Sequence, residues 1–246
     1  MNKSYSNNHF ITSVYKKMFF KSEVTTQMVY GESFSIIKSY KNWLKIRIDN
    51  DKYIGFVKKK KYNKFIKPSH KIASLFANIY KYPNLKKKIG ELPYGSKIKV
   101  SENYSKFIKF DNKWIEKKNI KNIEFKNKNI FSNIAIFKNT KYKWGGKTFK
   151  GIDCSALIQV FFNFNNKYCP RDTKDQVKFF KKNINLRNIR KNDIIYWKGH
   201  VALAISKKML IHAYGPEKRT LIMNIAQTIK KIKNTANLEI VSIKRI

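Results

Sequence analysis

The stretch GIDCSALIQVFF, residues 151–162, decides the fold of the second half of this chain. Asp153 is a residue type that caps helix N-termini, and the apolar run after it has helical length. The pattern predicts a helix with Cys154 in its first turn. A helix N-terminus offers unpaired N–H groups and partial positive charge, which stabilise a thiolate. Cys154 is therefore a candidate nucleophile, with a small buried core residue as the alternative.

Two histidines further along the chain favour the catalytic interpretation. His200 and His212 lie in two strand-like runs separated by Ser206-Lys207-Lys208. A hairpin centred on Ser206 would place the two histidines directly opposite each other, and opposed residues share one face of a sheet. One imidazole would then serve Cys154 as general base while the other orients it.

A zinc site is the alternative use of the same three side chains, since one Cys and two His form a known catalytic zinc set. The chain contains neither an HExxH nor a CxxC pattern, which are local signatures of zinc sites. We therefore expect a catalytic site that uses no metal and no cofactor.

The first half of the chain contains an internal repeat. Tyr30-Gly31-Glu32 aligns with Tyr94-Gly95-Ser96 at an offset of 64 residues, and the alignment continues without a gap. Apolar residues alternate with polar ones after each Tyr-Gly turn, as in half-buried strands. The pattern predicts an N-terminal leader over 1–20 and two small β-barrels over 21–66 and 70–122.

The first copy of the repeat resembles bacterial SH3-like domains. It carries the YGE turn at 30–32, the strand Trp43-Leu44-Lys45-Ile46 and the strand motif DKYIGFV at 51–57. Most of these residues are expected to form core and turns. Glu32, Asp51 and Tyr53 have a second interpretation, in which they face the amine of a ligand.

The second half begins with Asn129–Lys138, whose pattern predicts an amphipathic helix. Six motifs then occur in a fixed order: Tyr142-x-Trp144-Gly145-Gly146, Asp153-Cys154-Ser155, Pro170-Arg171-Asp172-Thr173-x-x-Gln176, Asp193-Ile194-Ile195-Tyr196-Trp197, Gly199-His200-Val201 and Ile211-His212-Ala213. Their order resembles the NlpC/P60 family of bacterial cysteine peptidases. The resemblance implies an α+β chain, in which two SH3-like barrels precede a papain-like catalytic domain over 125–246. In that domain a helix carries the cysteine and an antiparallel sheet carries both histidines.

Two positions depart from the family pattern. Ala156 stands where the family usually has Gly after Asp-Cys-Ser, and Ala is small and favours helices. Asn192 stands where the usual Gly precedes Asp193, and Asn tolerates a left-handed turn better than most residues. We expect both changes to be tolerated.

The resemblance also implies roles for the site residues. Cys154 attacks an amide carbonyl, His200 holds the thiolate as an ion pair and protonates the leaving amine, and His212 fixes the His200 ring. The Tyr142 hydroxyl and a backbone N–H near Cys154 are expected to stabilise the oxyanion, and Asp153 is expected to position the substrate. The remaining candidate substrate contacts are Ser155, Arg171, Asp172, Trp144, Glu32 and Tyr53.

The implied substrate is a free murein peptide, cut between γ-D-Glu and a diamino acid such as meso-diaminopimelate or L-Lys, with release of L-Ala-D-Glu. Acidic side chains would bind the free L-Ala amine, and Arg171 would bind the D-Glu carboxylate in a bidentate manner. Two other functions stay open. One is an endopeptidase on intact cell wall, which requires export; the other is a non-catalytic protein that binds wall or polyanion.

The charge of the chain is extreme, because 54 Lys and Arg against 15 Asp and Glu leave +39. Only six of the basic residues are arginines, and the lysines are spread over every segment. Abundant Lys, Asn, Ile, Phe and Tyr favour compositional drift in an AT-rich genome, so no specific nucleic-acid partner is expected. Two cysteines form no disulfide framework. Without a signal-peptide pattern or a membrane-spanning run, we expect a cytoplasmic monomer that does not insert into membranes.

Overall fold

The computed structural model describes residues 4–246 and places them in three successive units. Two units are built from β-strands, and the third combines α-helices with a six-stranded antiparallel sheet. The chain thus has the predicted α+β fold, with its helices in the last unit.

The first unit is a seven-stranded antiparallel sheet around an apolar core. Its strands are β1 (Ser4–Ser6), β2 (Ile11–Tyr15), β3 (Val24–Val29), β4 (Ser33–Ser39), β5 (Trp43–Ile48), β6 (Ile54–Lys58) and β7 (Asn63–Lys64). They follow each other in the order β3-β2-β6-β5-β4-β1-β7. The alternation seen in the sequence fills the core, where Phe34, Ile46 and Val57 are fully buried.

The prediction of a separate leader over 1–20 is wrong. Strand β1 pairs with β4, and β2 pairs with β3, so the first unit begins well before residue 21. Within β2, Thr12 and Val14 point inward and Val14 is fully buried. The run Ile-Thr-Ser-Val-Tyr has the same period of two that identified the other strands, and it belongs to the barrel for that reason.

The second unit is a smaller barrel of two sheets. Its strands are β8 (His70–Ile72), β9 (Phe76–Tyr80), β10 (Lys88–Pro93), β11 (Lys97–Ile98), β12 (Glu102–Tyr104), β13 (Phe107–Phe110), β14 (Lys113–Glu116) and β15 (Ile120–Asn122). The sheet orders are β10-β9-β14-β13-β12 and β11-β8-β15. Gly31 and Gly95 have φ values of 77° and 79°, so the two Tyr-Gly turns share a left-handed backbone, as the repeat predicts.

The third unit packs a buried helix against an antiparallel sheet. Its elements are β16 (Lys147–Thr148), β17 (Gly151–Ile152), α1 (Cys154–Phe164), α2 (Thr173–Phe179), β18 (Lys182–Asn183), β19 (Ile194–Trp197), β20 (His200–Ala204), β21 (Met209–Tyr214), β22 (Arg219–Asn224), α3 (Ile225–Ala236) and β23 (Ile240–Arg245). The large sheet has the order β18-β23-β19-β20-β21-β22. Every residue of α1 is buried, so the helix is the centre of the core.

The predicted helix over Asn129–Lys138 is only one short 3₁₀ turn, Ile134–Phe137. Asn133 precedes this turn with φ 64°, a left-handed conformation that a continuous α-helix excludes. Its apolar residues pack as expected, because Ile134 and Phe137 are buried against the core of the third unit. The residue pattern therefore predicted the burial correctly and the helix wrongly.

The first unit docks on the third through buried polar contacts and one close backbone approach. Lys147 Nζ lies 2.7 Å from Glu32 Oε1, with both side chains almost fully buried. Lys147 also donates its backbone N–H to Gln27 Oε1 at 3.0 Å. Gly145 has φ 68°, and a Cβ there would lie 2.1 Å from the carbonyl oxygen of Val24. Only glycine fits this contact, so the Gly-rich loop is a docking surface between the units.

The second unit is fixed to the other end of α1. The Tyr94 ring stacks on Phe164 with 4.7 Å between ring centroids. Lys71 Nζ donates to the carbonyls of Phe164 and Phe125 at 2.5 and 2.6 Å, which caps the C-terminus of α1. Burial lowers the pKa of Lys71 to about 8. Both barrels thus hold the helix that begins at Cys154.

Candidate active site

Cys154 is the first residue of α1, as the sequence predicts. Asp153 caps the helix from an extended conformation, and its Oδ1 accepts the backbone N–H of Ala156 at 2.8 Å. The Cys154 side chain is almost fully buried. Its Sγ lies 4.0 Å from the carbonyl oxygen of Gly199, which directly precedes β20. The thiol therefore meets the sheet at the start of the strand that carries His200.

The two histidines are joined by a short hydrogen bond. His200 Nε2 lies 2.9 Å from His212 Nδ1. The ring of Tyr214 stacks on His212 with centroids 4.8 Å apart and also lies 5.5 Å from the His200 ring. This arrangement occupies Nε2 of His200 and leaves its Nδ1 for the thiol. Tyr214 is a part of the site that the sequence reasoning missed.

The register of the histidine hairpin differs from the prediction. Leu203 pairs with Ile211 and Ala204 with Leu210, so the hairpin is centred on Lys207 and not on Ser206. The two histidines are therefore diagonal neighbours. A shift of two positions in pairing keeps both side chains on the same face, because strand side chains alternate with a period of two. The predicted contact survives for this reason.

The environment of Cys154 favours the neutral thiol. Burial raises the pKa of Cys154 to about 11, and the negative charge of Asp153 adds to the rise. The Val201 backbone and the Thr173 hydroxyl act in the opposite direction with smaller effect. Within the described residues no hydrogen bond joins the thiol to His200, and such bonds are often long before substrate binds.

The histidines are held neutral as well. Burial is the main cause that lowers the pKa of His200 to about 3, and the adjacent His212 lowers it further. Burial likewise lowers the pKa of His212 to about 4, with a smaller contribution from Lys231. The resting site thus favours a thiol beside two neutral imidazoles. This differs from the preformed ion pair that the family resemblance implies.

Arg171 is a structural partner of Asp153 and has no free face for a substrate carboxylate. Its Nη1 lies 3.0 Å from Oδ1 and its Nη2 lies 2.5 Å from Oδ2 of the same carboxylate. Nη1 also donates to Ser155 Oγ at 2.9 Å, and Nε donates to Thr26 Oγ1 at 2.8 Å. The guanidinium is 1% exposed. In this structure the guanidinium is thus engaged by side chains of the protein, in place of the predicted clamp on D-Glu, and it offsets the Asp153 charge beside the nucleophile.

A cavity of about 430 Å³ opens over Cys154 and is shared by the first and third units. Its lining comprises Lys16, Glu23, Thr25, Tyr53, Ile54, Trp144, Asp153, Cys154, Ser155, Arg171, Asp172, Thr173, Lys174 and Gly199. Six of the candidate residues from the sequence therefore meet here with the nucleophile. Five of the lining residues, Lys16, Glu23, Thr25, Tyr53 and Ile54, come from the first barrel.

His200, His212 and Tyr142 are not among the lining residues, and neither is Glu32. Its carboxylate is buried, paired with Lys147, and accepts the Val29 N–H at 2.8 Å. The carboxylate that the first barrel contributes to the cavity is Glu23, which accepts from Trp144 Nε1 at 2.7 Å and from Lys16 Nζ at 3.1 Å. Glu23 directly precedes β3 and lies inside the predicted barrel range of 21–66, but nothing in the residue pattern assigns it to the cavity.

Asp172 and Tyr142 keep the polar groups that their predicted roles require. Asp172 lines the cavity, and burial raises its pKa against the opposing effect of Arg171. Tyr142 is half-buried, and within residues 4–246 its hydroxyl has no hydrogen-bond partner. Burial raises the pKa of Tyr142, with Cys154 and Asp153 contributing, so the phenol stays a donor beside the thiol.

The described residues, 4–246, contain no cluster of three or more His, Cys, Asp or Glu side chains placed to hold a metal ion. Across the same range, none of the helices has the length and apolar character that crossing a bilayer requires.

A cysteine at the start of a buried helix, packed on an antiparallel sheet with two hydrogen-bonded histidines, defines the papain-like class of fold and site. The family model for NlpC/P60 matches residues 139–236, and that for the bacterial dipeptidyl-peptidase Sh3 domain matches residues 14–61. The chain contains an NlpC/P60 domain preceded by a bacterial SH3 domain of the dipeptidyl-peptidase type.

Curated relatives match parts of this chain. Dipeptidyl-peptidase 6 from Lysinibacillus sphaericus is 33% identical over 85 residues, which are 35% of this chain and 31% of that protein. The Murein DD-endopeptidase MepS/Murein LD-carboxypeptidase of Escherichia coli (strain K12) is 30% identical over 100 residues, or 38% of this chain and 52% of that protein. The matches thus span about a third and about half of the lengths of these relatives.

A solved structure matches nearly the whole chain. The crystal structure of an NlpC/P60 family protein from Bacillus cereus ATCC 10987 superposes with a TM-score of 0.80 and covers 98% of this chain and 99% of that one. At 16% identity, this likeness shows a shared fold. The arrangement of three units therefore occurs in another NlpC/P60 protein.

Proposed function

We propose that this protein is a cysteine peptidase that hydrolyses the γ-D-glutamyl–diaminoacid bond of free murein peptides. The substrate carries an unblocked L-Ala N-terminus, and the product is L-Ala-D-Glu. The observation that supports the proposal is the shared cavity. Glu23 and Tyr53 of the first barrel line this cavity together with Cys154. A cavity wall supplied by the first barrel suits recognition of the free end of a peptide.

The chemistry begins with Cys154 and His200. As Sγ attacks the amide carbonyl carbon, the thiol proton moves to Nδ1 of His200, and the resulting imidazolium is stabilised by the hydrogen bond from its Nε2 to His212. His200 then delivers the proton to the leaving amine, which departs as the diamino-acid product. A water molecule hydrolyses the thioester and restores the thiol.

The oxyanion of each tetrahedral intermediate needs donors on the other side of the carbon. The free hydroxyl of Tyr142 and a backbone N–H at the start of α1 are the donors in our proposal. One donor of this kind is worth about 2.7–4 kcal/mol in the transition state.

The amine end of the substrate lies against carboxylates in this proposal. Asp153 is held in a buried pair with Arg171, whereas Glu23 pairs with Lys16 at the exposed surface, where solvent screens the pair; Glu23 and Asp172 are therefore the carboxylates that can receive an ammonium group. The Ser155 hydroxyl and the Tyr53 ring line the same region. A cytoplasmic location, where free murein peptides would be met, is part of the same proposal.

The second candidate is an endopeptidase on intact cell wall, which the similarity to the murein endopeptidase of Escherichia coli favours. Mass spectrometry of the protein incubated with L-Ala-γ-D-Glu-meso-diaminopimelate, its N-acetylated form and the Cys154→Ala variant separates the two. We expect L-Ala-D-Glu from the free-amine peptide with wild type alone. Equal cleavage of the acetylated peptide would support the endopeptidase, and cleavage by Cys154→Ala would refute both candidates.

A further inference from the structure

The loop that joins β2 and β3 presents three consecutive apolar side chains to solvent. Met18, Phe19 and Phe20 are 42%, 50% and 65% exposed. We call residues 16–21 the hairpin tip. Single exposed apolar residues are ordinary, but a contiguous group marks an interaction surface.

The hairpin tip has a defined conformation. Lys17 donates its backbone N–H to Ser22 Oγ at 2.9 Å, and Ser22 donates its own N–H to the Phe19 carbonyl at 3.0 Å. The Phe20 ring packs edge-on against Trp43 with centroids 5.8 Å apart. The apolar side chains are therefore held outward by a folded loop.

Positive charge surrounds this apolar group. Lys16, Lys17 and Lys21 of the tip are all exposed, and Lys58 places its Nζ 3.4 Å from the centre of the Phe20 ring. Three exposed lysines, Lys59, Lys60 and Lys61, directly follow Lys58. One acidic residue, Glu23, closes the loop, and its charge is offset by Lys16.

We propose that the hairpin tip docks this protein peripherally on membranes that carry anionic lipids. Phenylalanine and methionine side chains enter the boundary between headgroups and acyl chains, while flanking lysines remain with the anionic headgroups. Each lysine near such a surface strengthens binding roughly fivefold. A nucleic acid would match the lysines, but it would leave the aliphatic part of the group without a partner.

The hairpin tip adjoins the cavity over Cys154, whatever reaction takes place in that cavity. Lys16 and Glu23 form the two ends of the loop, and both line the cavity over Cys154. A docked hairpin tip therefore places the cavity entrance close to the lipid surface. The docking proposal stands or falls independently of peptidase activity, because its test measures binding.

The test is co-sedimentation of the full chain with vesicles of phosphatidylglycerol and phosphatidylcholine in equal parts, against vesicles of phosphatidylcholine alone. The variants are Phe19→Ser/Phe20→Ser and Lys17→Gln/Lys21→Gln. The control is Val241→Ser, which removes an exposed apolar side chain from β23 of the third unit. Quenching of tryptophan fluorescence by brominated acyl chains reports insertion beside Trp43, and circular dichroism confirms that each variant folds.

We expect wild type and Val241→Ser to bind the anionic vesicles with equal affinity and to show quenching of tryptophan fluorescence. Neither protein should bind the neutral vesicles. The Phe pair should weaken binding about tenfold or more, and the Lys pair by a similar factor. Three results would overturn the proposal: no binding of wild type to anionic vesicles, undiminished binding of the Phe variant, or loss of a wild-type dimer in that variant by sedimentation velocity. Tighter binding to a single-stranded oligonucleotide than to vesicles, also lost in the Phe variant, would assign the tip to nucleic acid instead.

Discussion

Arg171 binds both carboxylate oxygens of Asp153 in a buried ion pair directly beside the nucleophile, Cys154. The pair fixes the residue that caps α1 and cancels a negative charge that would otherwise raise the thiol pKa further. The arginine thus acts on catalysis through the position and charge of its partner.

Breaking this pair should destabilise the fold. Arg171→Met leaves the Asp153 carboxylate buried without its cation, and the expected loss is about 3–5 kcal/mol of unfolding free energy. Urea denaturation followed by circular dichroism measures it. Lys174→Met, which removes an exposed cation from the same cavity, is the control and should change stability little. Equal stability of the two variants would contradict the structural role of Arg171.

The thiol should react slowly at neutral pH. With a pKa of about 11, the thiolate fraction of Cys154 rises about tenfold per pH unit between pH 7 and 10, and alkylation by iodoacetamide should rise with it. The measurement uses Cys169→Ala, so that Cys154 is the one thiol observed. A rate already constant above pH 6 would show instead that a preformed ion pair exists.

The buried histidines should make the fold sensitive to acid. Both have folded-state pKa values below the unfolded value, so the unfolded chain binds more protons below pH 6.5 and stability is lost as pH falls from there toward 4. For His212, which is fully buried, the loss is of the order of 3 kcal/mol. Melting temperatures from pH 7 to 4 test this.

His212→Gln provides the comparison for that series. The variant removes one buried titrating group, so its melting temperature should fall less steeply with acid than that of wild type. It should also lower kcat about 10²-fold or more with little change in KM, because it removes the group that orients His200. Parallel melting curves for both proteins would show that His212 does not titrate in this range.

Glu23 and Glu32 should behave in opposite ways. Glu23→Gln keeps the acceptor for Trp144 but removes the charge, so KM for the free-amine peptide should rise about tenfold with stability unchanged. Glu32→Gln leaves Lys147 buried without a full charge partner and should cost about 3–5 kcal/mol of stability. If KM rose in Glu32→Gln and not in Glu23→Gln, Glu32 would be the residue that contacts the substrate, as the sequence predicts.

Several features of the fold and the site were predictable because they depend on local residue types. The start of a helix at Cys154 could be predicted from two local features alone, the capping residue Asp153 and the apolar run that follows it. Asn192 has φ 75°, which confirms the left-handed turn expected before β19. The histidines share a face although their register was wrong, since face depends on odd or even spacing alone.

The rest depends on how the units meet. Glu23 and Glu32 are both glutamates in neighbouring loops of the first barrel. Only the docking of this barrel on the third unit decides which of them faces the cavity. Arg171 seemed free because its partner lies 18 positions earlier in the chain. The hairpin centre depends on one or two residues of turn geometry, which Ser206-Lys207-Lys208 does not specify.

The contact of Gly145 with the Val24 carbonyl has a consequence for how specificity arises. The first barrel supplies part of the cavity wall, and it precedes the cysteine and the histidines along the chain. Under the proposed function, selection of the substrate end therefore depends on the docking of two units that come from separate segments of the chain. Under that proposal, exchange of the barrel alone would change which peptide ends are admitted and would leave the catalytic residues in place.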